Sequence, residues 1–119
     1  MTAPLPRCSR GEIWLLAWNP RRGSEQGGFR PGVIIQSDLG NHAEGARTTI
    51  LVPLTSQGRP YLFYVPIPRN KDSGLSTDSW ANTTQVFTVD KVRLSKRLGK
   101  VTSAQMNALE QALSAVLGF

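Results

Sequence analysis

Thr102-Ser103-Ala104-Gln105-Met106-Asn107-Ala108-Leu109-Glu110-Gln111-Ala112-Leu113-Ser114-Ala115-Val116-Leu117-Gly118 is the stretch whose reading decides the fold class. Thr102 with Gln105 three residues on has the form of a capping box, in which the two side chains satisfy backbone N–H groups that the first turn leaves open. Met106, Leu109, Leu113, Val116 and Leu117 then recur at helical spacing and form one apolar stripe. Gly118 stands where a helix stop belongs. The chain therefore predicts one C-terminal helix. Upstream, only Val92 to Leu98 leaves room for a further short helical turn.

Everything else before Thr102 reads as short strands and turns. Glu12 to Trp18, with Ile13-Trp14-Leu15-Leu16-Ala17-Trp18, is aromatic and β-branched enough for a buried strand, and Asn19-Pro20 ends it. Val33 to Gln36 is a second strand, entered through Arg30-Pro31. Asp38 to Arg47 is a polar turn, and Thr48 to Leu54 a third strand with Thr55 at its end. Tyr61 to Ile67 is a fourth, placed at a sheet edge or strand end by Pro66 and Pro68, which cannot donate to a ladder. Gln85 to Val89 is a fifth. Residues 1–10 read as a loose tail, with Pro4 and Pro6 blocking regular structure, and 11–119 as one domain. Many short strands with regular turns followed by one helix predict a mainly β fold built on a small, strongly bent sheet or barrel.

Composition narrows the chemistry. The 119 residues hold one His and one Cys, so neither an internal disulfide nor a Cys/His zinc site can be assembled, and a two-histidine acid–base pair is impossible within one chain. His42 lies in the turn-like run Gly40 to Gly45 and reads as a loop histidine. The eight acids are scattered without paired spacing. Lys and Arg outnumber the acids by 14 to 8, a net charge of +6, which favours a polyanionic partner such as nucleic acid over mere solubility. No apolar run is long enough for a signal peptide or a membrane span, and a single cysteine suits a reducing compartment, so a cytoplasmic protein is expected.

Three local pieces can carry chemistry. The loop Gly23-Ser24-Glu25-Gln26-Gly27-Gly28, with Arg30-Pro31 directly behind it, lets backbone approach a ligand while an arginine forks onto a phosphate; it reads equally as a hairpin loop with a surface arginine. Pro53-Leu54-Thr55-Ser56 places two hydroxyls after a buried strand, a common strand ending. Lys91, Arg93, Lys96, Arg97 and Lys100 put five cations within ten residues, to track a phosphate backbone or to face solvent.

Together these pieces resemble the MazF/PemK toxins. Arg10-Gly11-Glu12-Ile13-Trp14, Asn19-Pro20, Gly23-Ser24-Glu25-Gln26-Gly27-Gly28, Arg30-Pro31 and Pro53-Leu54-Thr55-Ser56 follow in that family's order and spacing. So do Asp78-Ser79, Gln85, Thr88-Val89-Asp90-Lys91 and Leu117-Gly118. The resemblance implies an SH3-like β-barrel with a C-terminal helix, paired as a homodimer. It implies cleavage of single-stranded RNA or mRNA at a short sequence, by attack of the ribose 2′-OH on the adjacent phosphate, giving a 2′,3′-cyclic phosphate and a 5′-OH. No metal or cofactor would be needed, and a cognate antitoxin would block the RNA groove.

By position, the resemblance makes Arg30 and Thr55 the catalytic pair and sets Glu25 and Gln26 beside the scissile phosphate. Thr55 would donate a hydrogen bond to a phosphoryl oxygen, Arg30 would stabilise the phosphorane and Glu25 would help take the 2′-OH proton. Ser24, Gln26, Phe29, Ser56, Gln57 and Gln85 would contact RNA, with Phe29 either a stacking platform or a core residue at a strand start. The chain departs from the family around Gln85. Asn82, Thr83 and Thr84 stand where an apolar run and an acid are usual, and Phe87 stands where an arginine or lysine is usual. Two rival readings share the fold. One is a CcdB-type toxin that binds gyrase, whose Trp-Gly-Ile ending Leu117-Gly118-Phe119 faintly echoes. The other is an SH3-like adaptor that binds without cutting.

Overall fold

The computed structural model describes residues 4–17 and 28–119. The chain runs β1 (Glu12–Ala17), β2 (Phe29–Ile34), α1 (Asp38–Asn41), β3 (Thr48–Thr55), β4 (Tyr64–Ile67), β5 (Ser79–Asn82) and β6 (Phe87–Asp90). A 3-10 turn (Lys91–Arg93), β7 (Leu94–Lys100) and α2 (Ser103–Leu117) complete it. The fold is mainly β with one long C-terminal helix, as the sequence predicts. All seven strands join one antiparallel sheet in the order β4-β5-β3-β2-β1-β7, with β6 also on β3. No ladder joins β4 to β7 among the described residues, so backbone pairing does not close the sheet into a full cylinder.

β3 is the hub. One of its edges pairs with β2. The other is shared, Thr48–Leu51 pairing with β6 and Leu54–Thr55 with β5. Both faces of the central strands are buried. Ile13, Val33, Val52 and Leu54 join Val65, Ile67 and Leu109 of α2 in the larger cluster. Trp14, Leu16, Ile34 and Leu51 join Cys8, Val89 and Leu94 in a second. Neighbouring residues on one strand thus enter opposite cores, which is why Ile13 to Leu16 reads as a continuous apolar run rather than an alternation.

α2 starts as its sequence dictates. Thr102 accepts from Gln105 N, the Gln105 side chain accepts from Thr102 N, and Gly118 closes the helix with φ +83. Of the predicted stripe, Leu109 is buried, Met106 and Leu113 pack against the larger core, and Leu117 stays 54% exposed. Ala112, not counted in that stripe, is buried in its place. Among the described residues no helix is long and apolar enough to cross a membrane.

Several expectations need correction. Residues 8–10 are packed rather than loose. Cys8 is fully buried, its carbonyl is 3.0 Å from His42 Nε2, and Ser9 N donates to Glu12 Oε1. β2 begins at Phe29, four residues earlier than expected; Pro31 sits inside it, opposite Leu15, without needing a donor there. β4 begins at Tyr64 rather than Tyr61. The turn after β2 contains α1, whose Asn41 is buried. Val92 to Leu98 forms a 3-10 turn and then strand β7, not a helical turn alone. Leu94 and Leu98 stand at helical spacing in sequence, but two register shifts against β1 let both serve a strand. β5, only Ser-Trp-Ala-Asn, is too short and polar to show a period.

Asn41 ties the α1 region together. Its amide donates to Gln36 O (2.9 Å) and Asp38 Oδ1 (3.0 Å), and its carbonyl oxygen accepts from Gln36 Nε2 (2.9 Å) and the Thr49 hydroxyl (2.7 Å). The Asn41 side chain first, and the Arg10 backbone N–H second, hold the Asp38 carboxyl below its usual range. Stability from that shift is present above the ordinary carboxylate pKa and is lost as pH falls through the lowered value. Asn41→Ala strands the buried Thr49 hydroxyl and is expected to cost about 1–3 kcal/mol, read as a lower urea midpoint at unchanged m-value.

Candidate active site

The start of β2 and the end of β3 lie side by side. The β2–β3 ladder ends at Gly32–Pro53, and Arg30 and Thr55 stand two residues beyond that end on the two strands. The strands pack closely there, since a Cβ added at Gly32 would stand 3.1 Å from Leu51 Cδ1 and 3.2 Å from Val52 O. Arg30 and Thr55, 25 residues apart in sequence, line one open pocket of about 310 Å³. Ser56 and Gln57 continue its wall, Ser76, Thr77 and Ser79 form the opposite side, and Pro31, Leu54 and Leu75 supply the apolar lining.

The polar groups are arranged to receive an anion. Among the described residues no acidic side chain lines the pocket. Arg30 is exposed and has no carboxylate partner among the described residues. Thr55 Oγ1 accepts from Gln57 N at 3.0 Å, which fixes the oxygen and leaves the O–H free to donate outward. Ser79 Oγ is used internally, donating to Thr77 O at 2.9 Å. Ser76 and Thr77 are exposed and line the same pocket. Among the described residues no three His, Cys, Asp or Glu side chains gather as a metal-ligand set.

Two close backbone approaches set the walls. Trp80 pairs with Thr55 across the sheet, and its ring covers Gly58, where a Cβ would lie 2.1 Å from Trp80 Cδ1. This seats the Thr55–Gly58 turn. On the other side, the turn 70–74 lies against β7. Lys100 N donates to Asp72 O at 2.9 Å, and the buried Ser73 Oγ donates to Pro68 O at 2.9 Å. A Cβ on Gly74 would stand 1.9 Å from Leu98 O, and one on Gly99 2.1 Å from Asp72 O. The segment bearing Leu75 to Ser79 is thereby anchored against the sheet.

The structure brings Arg30, Thr55, Ser56 and Gln57 into one pocket lining. Ser24, Glu25 and Gln26 lie outside the described residues. Phe29 is 59% exposed opposite Ala17, so it is not a core residue, and it does not line the pocket. Gln85 is exposed in the turn after β5 and also lies off the lining. In that turn Asn82 Oδ1 accepts from both N and Oγ1 of Thr84, and the buried Thr83 donates to Phe63 O. The altered residues thus serve the turn itself. Ser76, Thr77 and Ser79 were missed, because a Ser/Thr run before a four-residue strand looks like any turn.

The basic run does not act as one surface. Lys91 is buried, Arg93 donates to Ala17 O at 3.3 Å, and Arg97 pairs with Glu12 at 3.0 Å. None of the five cations lines the Arg30–Thr55 pocket. His42 is likewise remote, its Nε2 3.0 Å from Ser9 Oγ.

Comparison with known proteins meets this geometry. Endoribonuclease MazF9 of Mycobacterium tuberculosis is 33% identical over 108 residues, covering 87% of this chain and 91% of that protein. The solved MazE-MazF (Form-II) structure from Deinococcus radiodurans matches the fold with a TM-score of 0.78 at 23% identity, over 96% of this chain and 98% of that one. An endoribonuclease in complex with its cognate antitoxin, from a mycobacterial species, matches with a TM-score of 0.73 at 26% identity, over 98% and 97%. A family model described as the PemK-like, MazF-like toxin of type II toxin–antitoxin systems matches residues 9–117, and the chain belongs to that family.

Proposed function

We propose that the chain is the toxin of a type II toxin–antitoxin pair and an endoribonuclease that cuts single-stranded RNA by cyclisation. The observation that carries this reading is the meeting of Arg30 and Thr55 in one pocket that Ser56, Ser76 and Thr77 also line. Such a site needs no protein nucleophile, because the RNA supplies its own 2′-OH. Arg30 clamps the scissile phosphate and stabilises the charge that builds on the phosphorane and the departing 5′-oxygen, which takes a proton from solvent as it leaves. Thr55 donates to a phosphoryl oxygen. Ser56, Gln57, Ser76 and Thr77 orient the chain of phosphates and sugars. Glu25 takes the 2′-OH proton, with Ser24 and Gln26 beside it on the same loop; Glu25→Gln cleaving at the normal rate would remove Glu25 from the scheme. Phe29 and Gln85 contact RNA outside the pocket.

A relative is solved with its cognate antitoxin and others as MazE-MazF complexes. By family likeness, the partners proposed here are an antitoxin that covers the RNA site and a second copy of this chain. Action on mRNA, with Cys8 kept as a buried free thiol, fits the cytoplasm.

The test uses a long single-stranded RNA in excess EDTA. Discrete fragments are expected. Intact RNA together with a stable gyrase complex would replace this reading with the gyrase-binding one. RNA affinity should fall with salt, with a log–log slope of roughly −0.7 for each phosphate contacted. A slope near zero in a titration of an uncleavable 2′-O-methyl oligonucleotide would contradict the phosphate clamp.

A further inference from the structure

Lys91 is a charge that the Arg30–Thr55 site does not use. It is 4% exposed, and its Nζ donates to Asn41 O at 2.7 Å. No carboxylate pairs with it among the described residues. One neutral acceptor for three donors leaves a desolvated ammonium largely uncompensated, an arrangement that calls for an anion.

The surroundings supply room for one. Lys91 lines a second open pocket of about 310 Å³ together with Arg7, His42 and Arg47, and no acid among the described residues lines it. Arg7 and Arg47 are exposed and form no ion pair among the described residues. The nearby acids are otherwise engaged. Asp38 accepts from Arg10 N and the Asn41 amide and stands 3.8 Å from His42 Nε2, and Asp90 accepts from Val92 N. Glu44 is exposed in the intervening turn and does not line the pocket. The pocket lies beyond the Thr48 end of β3, whereas the catalytic pocket lies at the Thr55 end. A strand of that length spans roughly 20–25 Å, so the two pockets cannot hold the same phosphate.

We propose that this second pocket is a phosphate-binding site, in which the guanidinium groups of Arg7 and Arg47 and the Lys91 ammonium converge on one anion. The bound group is a phosphodiester of an RNA chain or the phosphate of a small phosphoester; the chemistry is shared. The inference stands apart from the roles given to Arg30 and Thr55.

The experiment is a titration of the isotope-labelled full chain with inorganic phosphate, followed by backbone amide shifts. Saturable shifts at Asn41 to Arg47 and Lys91 are expected, with the dissociation constant raised about tenfold or more in Arg7→Gln/Arg47→Gln and in Lys91→Met. Should Lys91→Met fail to fold, the double variant decides, because both its residues are exposed. Absence of saturable shifts, or shifts unchanged in the double variant, would overturn the proposal. An uncleavable 2′-O-methyl oligonucleotide is then added. Displacement of phosphate identifies the RNA chain as the source, and retention identifies a small phosphoester; both uphold the site.

Discussion

Arg30→Ala lowers the rate of single-stranded RNA cleavage by about 10²–10³-fold, the scale on which loss of one preorganised charge donor is felt in a transition state. The loss falls on kcat more than on KM, because the extra negative charge exists only as the 2′-oxygen adds to phosphorus. Stability is expected to stay within about 0.5 kcal/mol, since Arg30 is exposed and has no ion-pair partner among the described residues. Arg30→Lys keeps the charge and loses the planar fork, so it recovers only part of the rate. Thr55→Val removes the outward hydroxyl and also the acceptor for Gln57 N, and it should therefore lose activity together with some order of the Thr55–Gly58 turn. Single-turnover cleavage with matched urea unfolding curves checks the series. A folded Arg30→Ala protein that cuts at the normal rate would leave the pocket without its principal charge and the scheme without its clamp.

The largest stability loss outside the core is expected at the seam between the 70–74 turn and β7. Gly74→Ala places a Cβ 1.9 Å from Leu98 O and does so at φ +68, where L residues are strained. The obstructing atom is backbone and cannot swing aside. Overpacking and the left-handed conformation together cost about 2–4 kcal/mol, a fall in Tm on the order of 10 °C for a domain of this size. Gly99→Ala meets Asp72 O at 2.1 Å from the other side and should give a comparable loss without any backbone strain. Gly118→Ala is the control. Its φ is +83 but nothing lies within 4 Å, so it should lose only about 1 kcal/mol. Thermal unfolding of the three variants separates the terms. Both seam variants should also lower cleavage, because Ser76 and Thr77 ride on the displaced segment. Equal melting temperatures for Gly74→Ala and Gly118→Ala would show that the seam does not hold.

Legibility in the sequence followed the range of the interactions. α2 could be read because its cap, stripe and stop are all local, and each is found where the residues place it. β1 and β3 could be read because strands buried on both faces need long apolar runs. β7 could not, because its period is broken by two register shifts that exist only against β1. The basic run could not be resolved from sequence for a related reason. Lys91 turns inward from the 3-10 turn, where its Nζ reaches Asn41 O, and the pairing of Arg97 with Glu12 depends on which face the bulged β7 presents. Arg30 and Thr55 were reachable through family spacing alone; locally each is an ordinary strand residue. Their meeting in one pocket arises beyond the end of the β2–β3 ladder, a long-range pairing that neither segment shows by itself. The Ser76–Thr77 side had no local signature at all, since carbonyl contacts from Gly74 and Gly99 seat it.

The most direct test of the account is the chemistry of the cut ends. RNA cleaved by the wild-type chain in excess EDTA should carry 5′-OH termini that a kinase labels without prior dephosphorylation. The facing ends should be 2′,3′-cyclic phosphates that resist phosphatase until opened by acid. Arg30→Ala should yield the same ends about 10²–10³-fold more slowly. Fragments bearing 5′-phosphate and 3′-OH, or cleavage that requires an added divalent ion, would contradict a reaction driven by the RNA's own 2′-OH at the Arg30–Thr55 pocket.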